Sequence, residues 1–186
     1  MKYTVISADP GTKNFAFAVT EHQLVKGKLR SKIIATGMVE QTITTMGDGL
    51  LEEMRVFEQT LIAMREKYKP DHVFFERFQS RGLKGTTIEC INVMLGIMVR
   101  TFRKEEPKLL LASTWKNRIN KRVDLKATYK DYKLTSKKSP KTQHELDATL
   151  IGFYGVTRLL GMSDFENFTE SNWDSFINWF LTRPNL

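Results

Sequence analysis

The spacing of apolar positions changes along the chain, and each change marks an element. Tyr3-Thr4-Val5-Ile6-Ser7-Ala8 is a largely apolar, β-branched run that closes on Asp9, and Pro10-Gly11 turns the chain toward Phe15-Ala16-Phe17-Ala18-Val19 at hairpin distance. A third strand is expected over residues 32–40, after the turn at Gly27, which makes an antiparallel meander. A helical period follows from about Gly49 to Tyr68, where Met54, Phe57, Leu61, Met64 and Tyr68 fall on one face and Pro70 ends the run. Val73-Phe74-Phe75 is apolar at consecutive positions, as a buried parallel strand tends to be, and it closes on Glu76.

The second half continues with a helix predicted from Thr86 to Arg103. Ile88, Ile91, Leu95, Met98 and Phe102 form a near-heptad stripe, and Met94, Ile97 and Val99 carry apolar surface further round the cylinder. Such a helix either lies deep in the core or meets the sheet on one face and a second subunit on another. Residues 108–112 read as a fifth strand. The last long helix begins near Gln143 and reaches Leu160, with Leu146, Leu150 and Phe153 as core positions and Gly161 just past its end. The pattern is an α/β domain over residues 1–160. Residues 161–186, carrying Trp173, Phe176, Ile177, Trp179, Phe180 and Leu181, are expected to form a helical extension packed on the same domain.

Composition narrows the class. No apolar run approaches the roughly 18 residues of a membrane span, and no charged-then-apolar leader opens the chain, so a cytoplasmic, membrane-free protein is expected. A single cysteine, Cys90, sits among Ile88, Ile91 and Val93 and reads as a buried free thiol. That count excludes a multi-cysteine zinc site, and His22, His72 and His144 lack the H-E-x-x-H spacing of a zinc protease.

Charge is concentrated. Between Ser113 and Thr142 stand ten basic residues, among them Lys116, Arg118, Lys121, Arg122, Lys137 and Lys138, against only Asp124 and Asp131, so this stretch alone carries a net charge equal to the +8 of the whole chain. Trp115, Tyr129 and Tyr132 are interleaved with it. A one-sided positive stretch with aromatics in an otherwise neutral chain is the pattern of a phosphate-backbone surface.

Candidate chemistry falls at element ends. Asp9 closes the first strand and Glu76 the fourth, while His144 and Asp147, three residues apart, share a face of the first turns of the last helix. Carboxylates gathered at such ends repel unless a cation neutralises them. An oxygen-rich set suits Mg²⁺ or Mn²⁺ better than zinc. Taken singly, Glu145 and Asp147 are better explained as acidic residues complementing a helix N-terminus.

These residues resemble a known family. The order β-β-β-α-β-α-β, basic stretch, α, with acidic residues on the first strand, the fourth strand and the last helix, looks like the RNase H-like fold: a five-stranded mixed sheet flanked by helices. Within it the chain is similar to RuvC-type Holliday junction resolvases, particularly divergent viral and phage members. Asp9-Pro10-Gly11-Thr12-Lys13-Asn14 resembles the family's D-x-G-x-x-N opening, Glu76 its fourth-strand glutamate, and His144-Glu145-Leu146-Asp147 its terminal-helix pair. His144 stands where a carboxylate is commoner, so either His144 or Glu145 is the fourth member of the set. Phe78 occupies the place of an aromatic wedge, which would either stack on a base at an opened junction or serve as a buried hinge.

The resemblance implies a metal-dependent endonuclease that resolves four-way DNA junctions by paired nicks, using two Mg²⁺ or Mn²⁺ ions in each active site. Asp9 would bridge the ions, Glu76 and Asp147 would hold one each, and His144 would ligate or orient the attacking water. Lys116 would offset charge on the scissile phosphate. Phe78, Arg81, Lys84, Lys116, Arg118, Lys121, Arg122, Lys137 and Lys138 are the expected DNA contacts. A four-way junction has two-fold symmetry, which implies a homodimer, here through the Thr86–Arg103 helix. The rival readings are a ribonuclease H or general branched-DNA nuclease on the same fold, and a non-catalytic nucleic-acid-binding protein. A kinase-like ATPase is disfavoured by length and by the lack of a second phosphate-binding glycine loop.

Overall fold

β1 (Lys2–Asp9) is the middle strand of a five-stranded sheet, and the placing of the two catalytic candidates on strands follows from what pairs with it. The computed structural model describes residues 2–25, 28–78, 85–120 and 142–161. On one side β1 pairs antiparallel with β2 (Ala16–Val25), which pairs antiparallel with β3 (Lys28–Met38). On the other it pairs parallel with β4 (His72–Arg77), which pairs parallel with β5 (Lys108–Leu111). The sheet order is β3-β2-β1-β4-β5. The helices are α1 (Leu50–Tyr68), α2 (Thr86–Thr101), α3 (Ala112–Asn120) and α4 (Gln143–Leu159). This is the RNase H-like α/β architecture expected, and no described helix is long and apolar enough to cross a membrane.

The period-two alternation of each strand divides the work between two faces. Ile6, Ala8, Val19, Val73 and Phe75 point into the main core with Phe57 and Leu61 of α1 and Ile91, Met94 and Met98 of α2. The opposite face is built from small residues. Ala16 and Ala18 of β2 pack with Ala148 of α4, and Ser7 Oγ donates to the Ala148 carbonyl at 2.6 Å. Gly152 and Gly155 complete the close approach: a methyl group at 152 would press on Ser7, and one at 155 would fall into the Phe74 ring. α4 is buried continuously from Glu145 to Thr157.

Several expectations shift by a few residues or by a face. The α1 stripe holds, with Phe57, Leu61 and Met64 buried and Met54 and Tyr68 packed at the margin. On α2 the buried set is Cys90, Ile91, Met94, Ile97, Met98 and Thr101; Ile88 and Leu95 of the expected stripe are only half-buried, and Val99 is exposed. β2 and β3 run well beyond the apolar runs that announced them. There His22 is fully buried and satisfied, with Nε2 2.7 Å from Thr20 Oγ1 and Nδ1 2.8 Å from Ser31 Oγ, and burial pushes its pKa down to about 3, so it is neutral. The stretch opening at Ser113, read as the start of a solvent-facing basic segment, begins as helix α3. Residues 121–141, with Lys121, Arg122, Lys137 and Lys138, lie outside the described residues, as do Arg81, Lys84, the side chain of Arg118 and the extension from 162 to 186.

Candidate active site

Parallel pairing places Ala8 opposite Phe75, so the following residues, Asp9 and Glu76, emerge side by side at the C-terminal ends of β1 and β4. Alternation turns both toward α4, the face on which Ser7 and Phe74 also lie. The first turns of α4 then bring up the other members. His144 Nδ1–H donates to Asp9 Oδ2 at 2.9 Å, and Asp147, almost fully buried, accepts from Lys116 Nζ of α3 at 3.1 Å. All five residues predicted for the chemistry, Asp9, Glu76, Lys116, His144 and Asp147, therefore converge.

Glu145 points elsewhere. Thr142 Oγ1 accepts from the Glu145 amide at 3.2 Å while Glu145 Oε2 accepts from the Thr142 amide at 2.9 Å, a reciprocal capping box, and Thr36 Oγ1 donates to Glu145 Oε1 at 3.1 Å. Of the two alternatives for the fourth member, His144 stands against Asp9, while Glu145 is held by Thr142 and Thr36. The T-x-x-E spacing of Thr142 and Glu145 is the signal in the sequence that separates the two roles.

Trp115 is the residue that sequence reasoning misplaced. Expected among the aromatics of a nucleic-acid surface, it is fully buried, and its indole Nε1–H donates to Glu76 Oε2 at 2.9 Å. Its ring also lies 4.9 Å from Lys116 Nζ. On a nine-residue helix between a strand and a lysine-rich stretch, nothing local distinguishes an inward tryptophan from an outward one. Phe78 is half-buried and packs against the main core, so part of the ring expected to meet a base is already covered.

The electrostatics show a deficit of positive charge. Lys116 and His144 face three carboxylates. Burial opposes the Lys116 charge, but Asp147, Glu76 and Asp9 outweigh it and hold the ammonium above the ordinary lysine range. The hydrogen bond to Asp9 holds His144 above the ordinary histidine range, against some burial. Glu76 meets the remaining imbalance by keeping its proton: burial, then the charges of Asp9 and Asp147, push it up to about 7 despite the opposing Lys116 charge and Trp115 hydrogen bond. Three carboxylates and an imidazole, short of positive charge, are the donor chemistry of a hard divalent cation. Among the described residues no three such side chains converge closely enough to hold an ion as they stand. With Asp147 engaged by Lys116 and Asp9 by His144, binding an ion requires side-chain rotation within the same cluster. The residues fit the ion in chemistry and charge.

Comparison with known proteins places this arrangement. The architecture is shared with the structure of Thermus thermophilus RuvC, at a TM-score of 0.64 and 16% identity over 87% of this chain and 97% of that one. The same protein in complex with Holliday junction substrate matches at a TM-score of 0.62. The yeast mitochondrial Holliday junction resolvase Ydc2 matches at 0.54, with 20% identity over 95% of this chain and 84% of that one. At such identities the likeness is one of fold alone: a five-stranded mixed α/β sheet flanked by helices. By sequence, the chain belongs to the family described as protein similar to CwfJ C-terminal, whose model matches residues 4–101. That segment contains Asp9 and Glu76 and stops before Lys116, His144 and Asp147. A search of curated proteins finds no match.

Proposed function

We propose that the protein is a divalent-metal-dependent endonuclease that resolves four-way DNA junctions by paired, symmetric nicks. The observation that carries the reading is the meeting of Asp9, Glu76 and Asp147 from two parallel strand ends and a facing helix, with too little positive charge among them. The net positive stretch after α3 supplies a backbone-binding surface next to that cluster in sequence. The fold shared with a resolvase solved on its junction substrate supports this substrate over other nucleic acids.

Asp9, Glu76 and Asp147 would hold Mg²⁺ or Mn²⁺, two ions in each site, with His144 beside Asp9. Ions held there would activate water and offset charge on the 3′-oxygen in phosphodiester hydrolysis, which would leave 5′-phosphate and 3′-hydroxyl ends. The chain's own groups do the remainder. Asp9 orients the His144 ring through Nδ1, which leaves Nε2 to exchange a proton with water or a leaving oxygen. Lys116 presents an ammonium that exchanges its Asp147 partner for a phosphate oxygen. Two such sites related by a two-fold axis match a four-way junction, so the active form is a homodimer, with the outer side of α2, where Val99 is exposed, as the subunit interface.

The test is cleavage of a labelled mobile four-way junction, a linear duplex and an RNA–DNA hybrid by the protein and its Asp9→Asn variant, in Mg²⁺ and in Mn²⁺. Symmetric nicks confined to the junction and absent from the variant are expected. Cutting of the hybrid alone would make the protein a ribonuclease H, and tight junction binding without cutting would make it an architectural protein.

A further inference from the structure

Glu76 takes its described hydrogen bond from an uncharged donor, although the Lys116 charge also acts on it. Asp9 has His144 and Asp147 has Lys116, both of which can carry charge and both partly exposed. Glu76 instead receives the Nε1–H of Trp115, an indole with no solvent exposure, from a helix that follows the neighbouring strand β5. Indole offers one donor and no acceptor, so the bond can be made in one direction only, and the buried ring cannot swing away to release it. The bond survives ionisation of Glu76 and strengthens with it.

We propose that Trp115 is a positioning residue for divalent-ion binding: it fixes the Glu76 carboxylate at one oxygen, Oε2, and leaves Oε1 available as the ligating atom. The inference rests on the reading of Glu76 as an ion ligand. It adds the element that makes the ligand rigid, and it assigns α3 a double role, since the next residue, Lys116, holds Asp147. The neighbouring carboxylates repel Glu76, so without the indole the Glu76 side chain is free to rotate out of the cluster. The ion would then bear the cost of ordering it.

The experiment compares the unsubstituted protein with Trp115→Phe, which keeps most of the ring volume and removes the donor, and with Asp9→Asn. Mn²⁺ binding is followed by electron paramagnetic resonance, folding by circular dichroism, and junction cleavage as a function of Mg²⁺ concentration. Trp115→Phe is expected to remain folded, to bind Mn²⁺ about ten-fold more weakly, the value of one hydrogen bond to a charged group, and to need correspondingly more Mg²⁺ for half-maximal cleavage. Unchanged Mn²⁺ affinity in a folded Trp115→Phe would overturn the proposal and leave the metal reading intact. Mn²⁺ binding that ignores Asp9→Asn would overturn the metal reading and the proposal with it. Should Trp115→Phe fail to fold, the ¹⁵N-indole resonance of Trp115 decides, isolated by Trp173→Phe and Trp179→Phe. It is expected to move on Mg²⁺ addition and to lose that response in Glu76→Gln, and a resonance indifferent to Mg²⁺ would overturn the proposal.

Discussion

His144 Nδ1 and Asp9 Oδ2 are 2.9 Å apart and 135 positions apart in sequence, so β1 and α4 share a hydrogen bond inside the candidate active site. Asp9→Asn removes the charge that holds the imidazole and, on the proposed reading, one of the ion's ligands. Cleavage is expected to fall by on the order of a thousand-fold or more, comparable to losing a principal electrostatic group in other enzymes. Junction binding in Ca²⁺ should persist, as a gel-shift titration of the same preparation would show. Undiminished cleavage would remove Asp9 from the site.

The convergence of Asp9, Glu76, His144 and Asp147 was legible because each stands at the edge of an element whose period is unmistakable, and a strand end or first helical turn has few directions to point. What could not be read was inwardness where period fails. Trp115 lies in a short helix whose other side chains are mostly polar or charged, so its inward direction shows only in its distant partner, Glu76, and not in any neighbour in sequence. His22 shows the same limit: a polar residue in an extended strand is placed inside only because Thr20 and Ser31 satisfy both ring nitrogens.

Glu76 makes the ion-free protein more stable at acid pH than at alkaline pH. Its folded-state pKa of about 7 lies above the ordinary 4.5, so the native state holds the extra proton between those values. The associated stability is present below about pH 4.5 and is lost as pH rises through 7, by roughly 3 kcal/mol. His144, also raised, acts in the same direction: its contribution is present below its ordinary pKa of 6.5 and is lost as pH passes the raised value. Glu76→Gln should therefore stabilise the protein in EDTA at pH 8 by about 1–3 kcal/mol and leave it unchanged near pH 4, measured by urea denaturation. Mg²⁺ should stabilise the parent protein at pH 8 and the variant much less. Equal stability of the two proteins at pH 8 would contradict the assigned cost.

Activity should carry the opposite pH signature. Cleavage at subsaturating Mg²⁺ is expected to rise from pH 6 to pH 8 as Glu76 ionises, and saturating Mg²⁺ should shift that rise to lower pH by competing with the proton. A profile independent of Mg²⁺ concentration would place the titrating group elsewhere.

α4 sits close to the sheet only because positions 152 and 155 lack side chains. Gly155→Ala puts a methyl group into the ring of fully packed Phe74, and a loss of about 1–3 kcal/mol is expected from thermal unfolding. A neutral or stabilising result would mean that the helix can lift without penalty.

The basic stretch predicts a salt signature. Neutralising Lys121, Arg122, Lys137 and Lys138 together should weaken junction binding, and the slope of log affinity against log salt should flatten by roughly one unit for each phosphate no longer neutralised. An unaltered slope would reduce the stretch to a solubilising surface.

Because β1 supplies the first residue of the cluster and α4 the last, the cluster is assembled only after α4 has been synthesised. A growing chain that has emerged as far as α3 already presents Asp9, Glu76 and Lys116, but it has neither His144 nor Asp147. Whatever chemistry the cluster performs is thereby withheld from every unfinished copy, with timing supplied by the order of the chain.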